Sequence, residues 1–160
     1  SLCEKDMLKQ ALELANKEGV ILPKKVVVAG SAEEEGTVVD VNSINPMDSI
    51  FDIAPESFDE VKSILQEAKI ILWNGPVGLF EKPQFMKGTA CVAKMIINSE
   101  AYSVGGGGDT IAAAKQVGVM DDIDYMSTAG GAFLEFIAGR ALPAIEALEM
   151  KALESQDSRA

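Results

Sequence analysis

With 160 residues, 48% of them hydrophobic and 24% charged, the chain can bury the core of one domain, and disorder is excluded as its dominant state. A formal charge of −11 argues against nucleic-acid binding, the absence of histidine removes histidine-based nucleophiles and metal ligands, and no apolar run approaches a membrane span. Cys3 and Cys91 are too few for a disulfide framework, no secretory leader is legible, and the plain expectation is a reduced, cytoplasmic setting.

In chain order, Met7, Leu8, Ala11, Leu12 and Ala15 stand at helical spacing and predict a helix over 4–18, ended by Gly19. Strand-like runs follow at Val20–Leu22, Val26–Ala29 and Val38–Val41, the last two separated by an acidic, solvated turn at Glu33-Glu34-Glu35-Gly36. Ser57 and Glu60 have capping-box spacing ahead of an apolar stripe of Phe58, Val61, Ile64, Leu65 and Ala68. Lys69–Trp73 reads as a strand of a sheet covered on both faces. A helix over about 84–97, a strand at Ala101–Val104 and a helix over Asp109–Val117 with Gly118 as its C′ residue come next. Tyr125–Thr128 is the next strand, and Gly130-Gly131 opens a helix through Phe136 and Ile137. Met86, Met95 and Met126 read as core filler and Cys91 as a small buried hydrophobe. Residues 150–160 form a polar tail, expected to fray unless docked. The alternation predicts an α/β fold: part of a Rossmann-like, mostly parallel sheet with helices on both faces, in three α/β/α layers.

Three glycine-bearing loops each follow a strand, and ligands of open parallel sheets bind beyond those strand ends. The first is Trp73-Asn74-Gly75-Pro76-Val77-Gly78-Leu79-Phe80-Glu81, which as a plain structural turn would already be well formed. The second is Gly105-Gly106-Gly107-Gly108-Asp109-Thr110, where glycines permit close approach and the first helical turn presents unpaired amides to an anion. Asp109 could reach a phosphate-bound magnesium ion, directly or through water, and Thr110 could donate to a phosphate oxygen; the plainer alternative makes either a helix cap. The third, Ser127-Thr128-Ala129-Gly130-Gly131-Ala132, repeats the arrangement. Lys82 and Lys87 flank the first loop and read as solvated surface lysines.

These residues resemble the phosphoglycerate kinase family. The similarity runs from Leu72-Trp73-Asn74-Gly75-Pro76-Val77-Gly78 with Phe80-Glu81, through Lys87-Gly88-Thr89 and Gly106-Gly107-Gly108-Asp109-Thr110, to Ser127-Thr128, Gly130-Gly131-Ala132, Leu134-Glu135 and Leu142-Pro143. It implies a two-lobed glycolytic enzyme, monomeric when whole, that transfers a phosphoryl group between 1,3-bisphosphoglycerate and ADP to give 3-phosphoglycerate and ATP with Mg2+. By motif, Glu81 would bind the ribose, Gly75 and Val77 the adenosine side, and Asn74 would lie near the phosphates. Gly107 and Gly108 would pass the phosphates, with Asp109 on the metal and Thr110 on phosphate. Gly130 and Gly131 would serve the moving phosphoryl group. No general base is needed, because the acceptor carboxylate is already ionised, so a histidine-free lobe suits the reaction.

Two departures stand out. Ala129 occupies the first of three positions that are usually glycine, and Ile50-Phe51-Asp52 with Ile53-Ala54-Pro55 replaces the family's Gly-Leu-Asp and Gly-Pro in a segment that borders adenine. The amino lobe and the opening strands of the nucleotide lobe have no counterpart. The resemblance therefore implies an incomplete nucleotide-binding domain over 1–149, with an exposed sheet edge and an uncovered apolar face, inactive alone. A non-catalytic remnant serving as an assembly module is the alternative.

Overall fold

The computed structural model describes residues 4–157; Cys3 lies outside them. A 3-10 turn at Lys5–Met7 leads into α1 (Leu8–Ala15). This helix is shorter than expected because Asn16 folds its amide back onto the Leu12 carbonyl at 2.8 Å and closes the last turn.

The first departure from expectation is a separate antiparallel sheet. Strands β1 (Lys25–Ala29), β2 (Thr37–Asp40) and β3 (Ser49–Ile53) pair in the order β2-β1-β3, all antiparallel. The segment between β1 and β2 permits only a hairpin return, since a parallel crossover needs about a dozen residues or more. Val20–Leu22, expected as a strand, is irregular, and all three side chains are exposed. Strand β3 was not anticipated. Between Val27↔Asp52 and Val28↔Ile50 the register slips, so Phe51 is bulged out of the ladder. The bulge lets neighbours serve one interior: Phe51 stacks on Phe85 at 4.8 Å while Asp52 bonds the backbone of Gly88.

The second sheet is parallel: β4 (Ile70–Asn74), β5 (Tyr102–Gly106) and β6 (Tyr125–Ser127), in the order β4-β5-β6. Helix α2 (Asp59–Glu67) precedes β4, α3 (Lys87–Ile97) lies between β4 and β5 in the chain, and α4 (Gly108–Val117) between β5 and β6. Helices α5 (Gly130–Ile137) and α6 (Pro143–Asp157) follow β6. Gly118 ends α4 in the left-handed region at φ 80°, with its N–H on the Ala114 and Lys115 carbonyls, as the sequence predicts. The capping box does not form. Ser57 lies in a 3-10 turn (Pro55–Phe58), and its Oγ instead accepts from the Lys25 N–H and donates to the Lys25 carbonyl, both at 2.7 Å. Helix α6 carries the polar residues from 150 onward as far as Asp157.

Ile71 and Trp73 pack with Ala93 and Ile96 of α3 and Ala113 and Ala114 of α4, forming the main core on one face of the parallel sheet. Met86 and Met126 join its margin, while Met95 and the half-buried Cys91 border a cleft between α2 and α3. On the opposite face the Phe133 ring of α5 covers the backbone of Gly106. Helices thus stand on both faces, in α/β/α order, but β4 is not covered on both. Ile71 and Trp73 are buried, whereas Ile70 is 68% and Leu72 45% exposed.

Candidate functional site

The parallel register ends the three strands level, with Asn74 opposite Gly106 and Gly106 opposite Ser127, so their loops open on one edge. Thr110 joins the first two loops. Its hydroxyl donates to the Gly106 carbonyl at 2.6 Å and accepts from the Gly75 N–H at 2.7 Å, and the residue is 1% exposed. That hydroxyl proton therefore serves the loops; what Thr110 has left for a ligand is its backbone N–H. The Gly107 N–H reaches the Ser127 carbonyl at 3.3 Å and joins the second loop to the third. Gly75 also holds its φ of 87° with its carbonyl accepting from Trp73 Nε1 at 2.9 Å.

Gly107, at φ 97°, sits where all three loops meet. A Cβ there would lie 3.9 Å from Asn74 Oδ1 and 4.0 Å from the Gly130 Cα, and a Cβ on Gly130 would come within 3.0 Å of Gly107. The amides of Gly108, Asp109 and Thr110 at the start of α4, and of Gly130, Gly131 and Ala132 at the start of α5, find no partner among the described residues. Two helix N-termini thus present unpaired donors and positive dipole ends beside one another, an arrangement with the chemistry to hold an anion in an acidic chain. Ala129 fits without strain: its φ is −99°, and its carbonyl accepts from the Phe133 N–H at 2.8 Å.

Asp109 is exposed in the first turn of α4 and caps nothing with its side chain. Among the described residues no group of three or more acidic, cysteine or histidine side chains forms a metal cage. One carboxylate beside phosphate donors is nevertheless the usual protein share of a magnesium site, so the residues present fit that ion when phosphate brings it.

Next to this cradle lies an open groove of about 770 Å³, lined by residues 49–52 and 76–79. The Leu79 N–H bonds the Phe51 carbonyl at 2.8 Å and the Val77 N–H bonds Thr89 Oγ1 at 3.2 Å, which ties both walls together. At its floor is Asp52, 1% exposed, with its carboxylate accepting from Ile53 and Gly88, both at 2.8 Å. Burial pushes its pKa up, against the pull of those two amides.

Asn74, Gly75, Gly107, Thr110 and Gly130 are thus drawn together, with Gly108, Asp109 and Gly131 in the adjoining helical turns and Val77 in the groove. Glu81 is exposed and lies outside the groove lining. The acidic turn is more than solvated surface, because Glu33 pairs with Lys82 at 2.6 Å and the Ala32 carbonyl accepts from Gln84 at 3.0 Å. Asp52 and Thr89 stand in segments that the resemblance includes, but neither is assigned a role of its own there. A lone carboxylate inside the apolar run Ile50-Phe51-Asp52-Ile53 was the available signal.

A family model described as phosphoglycerate kinase matches residues 1–140. The phosphoglycerate kinase of Haemophilus influenzae (strain PittGG) is 46% identical over 154 residues, covering 95% of this chain and 40% of that protein. That of Psychrobacter cryohalolentis is 45% identical over 164, covering 95% and 41%. The phosphoglycerate kinase structure from Coxiella burnetii superposes with a TM-score of 0.82 at 41% identity, over 91% of this chain and 40% of that one. The structure from Pyrococcus horikoshii OT3 gives 0.77 at 36% identity, over 90% and 36%. The chain therefore spans about two fifths of the length of these relatives.

Proposed function

Because the chain belongs to the phosphoglycerate kinase family, we propose that it supplies the nucleotide-binding part of a kinase, holding Mg-ADP or Mg-ATP across the three loops. The observation that carries this reading is the pair of glycines at 108 and 131. A Cβ at either would meet nothing within 4 Å, and neither has positive φ, so packing and backbone geometry leave both free to be larger. Glycine costs conformational entropy that alanine does not, up to about 1 kcal/mol in a helix interior and less in a first turn, and close approach by a ligand accounts for it at both helix starts.

In this reading the open amides of α4 and α5 take the phosphates, with Gly107 and Gly108 letting them near the main chain. Asn74 borders the phosphate chain. Asp109 orients the nucleotide's magnesium ion, which neutralises phosphate charge when bound. Val77 and Gly75 border the adenosine, with Glu81 toward the ribose, and Gly130 and Gly131 receive the phosphoryl group in flight. The transfer between 1,3-bisphosphoglycerate and ADP, giving 3-phosphoglycerate and ATP in the cytoplasm, then belongs to a whole protein with an amino lobe, and this chain by itself is inactive. Positioning and charge neutralisation carry such a reaction, and no protein base is required.

Calorimetric titration with Mg-ADP tests the reading. Saturable binding, weakened about tenfold or more by Asp109→Ala, supports it. No binding by a demonstrably folded chain overturns it and favours an assembly module, a reading supported by the apolar face exposed at Ile70, Leu72, Tyr102 and Tyr125.

A further inference from the structure

We propose that Asp52 and Thr89 are positioning residues that set the width of the groove for the nucleoside, acting through the first turn of α3 and independently of the phosphate cradle. The inference rests on the nucleotide reading above. Helix α3 has Met86 at its N-cap and no side-chain cap of its own. Asp52 supplies the missing acceptor from another strand: one oxygen takes the Gly88 N–H in that first turn, and the other takes the Ile53 N–H. The β3 wall of the groove is thereby fastened to α3. Thr89, the next residue of the same turn and fully buried, fastens the opposite wall by accepting from the Val77 N–H at 3.2 Å.

Two glycines mark how closely these parts fit. A Cβ on Gly78, in the loop wall, or on Gly88, in the helix, would overlap the Asp52 carboxylate. No lysine or arginine pairs with Asp52 among the described residues, so the helix end and two amides alone compensate this buried acid. Asparagine would fill the same volume, but its amide would turn a donor toward one of the two N–H groups. The carboxylate is thus the group that satisfies both walls at once. The cradle is fastened elsewhere, through Thr110 to Gly75 and Gly106. Nucleoside and phosphate affinities should therefore separate.

The experiment compares Mg-ADP binding by calorimetry with magnesium pyrophosphate binding by 31P NMR, for the wild-type chain, Asp52→Asn and Thr89→Val, with a thermal melt of each. In both variants Mg-ADP affinity is expected to fall about tenfold while pyrophosphate affinity stays within about twofold. A parallel fall in both affinities, no change in either, or a wild-type chain that binds Mg-ADP but not pyrophosphate overturns the inference. If Asp52→Asn fails to fold, Thr89→Val decides by the same criterion. Failure of the nucleotide reading is seen separately, as a wild-type chain that binds no Mg-ADP.

Discussion

Two side chains show how single residues decide this site. Thr110 is a hydroxyl shared between loops, donating to Gly106 and accepting from Gly75 with almost no exposure. Thr110→Val leaves both backbone groups unpaired and is expected to cost about 1–3 kcal/mol in urea unfolding, whereas Thr110→Ser, which keeps both bonds, costs about 1 kcal/mol. Asp52 and Asp124 give opposite pH signatures. The Asp52 pKa is raised by burial, so its contribution to stability is fully present below the unfolded carboxylate value and is lost as pH rises through the folded one. The Asp124 pKa is lowered by bonds from the Ser103 N–H and hydroxyl at 2.7 and 2.8 Å. Its contribution is present above the unfolded value and is lost as pH falls through the folded one. Urea unfolding across the acid range should therefore show the stability of Asp52→Asn, relative to the parent, improving as pH rises. Asp124→Asn should show the reverse slope.

At the scale of elements, the proposed nucleotide site sets folding against binding at the starts of α4 and α5. Gly106 must be glycine because the Phe133 ring occupies the place of its Cβ, and Gly107 because of its φ of 97°. Gly108 and Gly131 have no such reason. Gly108→Ala and Gly131→Ala are expected to raise stability by about 0.5–1 kcal/mol by restricting the unfolded chain, while Gly108→Ala weakens Mg-ADP binding and Gly131→Ala weakens binding of Mg-ATP, which carries the transferred phosphoryl group. Thermal melts and titration of the same samples check both halves. If Gly108→Ala stabilises the fold and leaves Mg-ADP affinity unchanged, or Gly131→Ala does so with Mg-ATP affinity unchanged, phosphate does not approach that glycine.

The whole molecule carries more surface than its size requires. Its accessible area is 11,092 Å², against about 8,000 Å² expected for a compact monomer of this length. Ile70, Leu72, Tyr102 and Tyr125 place an exposed apolar patch on one face of the parallel sheet, and Leu148 and Met150 of α6 are exposed as well. The isolated chain should therefore bind a hydrophobic dye and self-associate with rising concentration, the charge of −11 opposing association most at low salt. Ile70→Thr with Leu72→Thr should reduce dye binding and association in sedimentation while changing stability by about 0.5 kcal/mol or less per site.

The sequence by itself determined the parallel half of the fold and the identity of the three loops. Local signals suffice there: a strand then a glycine-bearing turn at 73–81, and a strand, glycines and a helix start at 105–110 and 127–132, with Gly118 closing α4. It did not determine the antiparallel sheet, because a short β-rich run such as 26–29 or 38–41 carries no mark of the direction of its neighbour. The capping box at Ser57 failed because a tertiary partner, the Lys25 backbone, outbid the local one. Strand β4 read as buried on both faces, but burial depends on which helices arrive, and only one face receives α3 and α4. Above all, the role of Asp52 exists only in three dimensions. Its carboxylate meets Gly88 across 36 positions of chain, and that meeting depends on the bulge at Phe51 and the path of the 76–79 loop. Periodicity and turn chemistry are written in neighbouring residues, whereas a buried acid's partners are set by packing between elements distant in the chain.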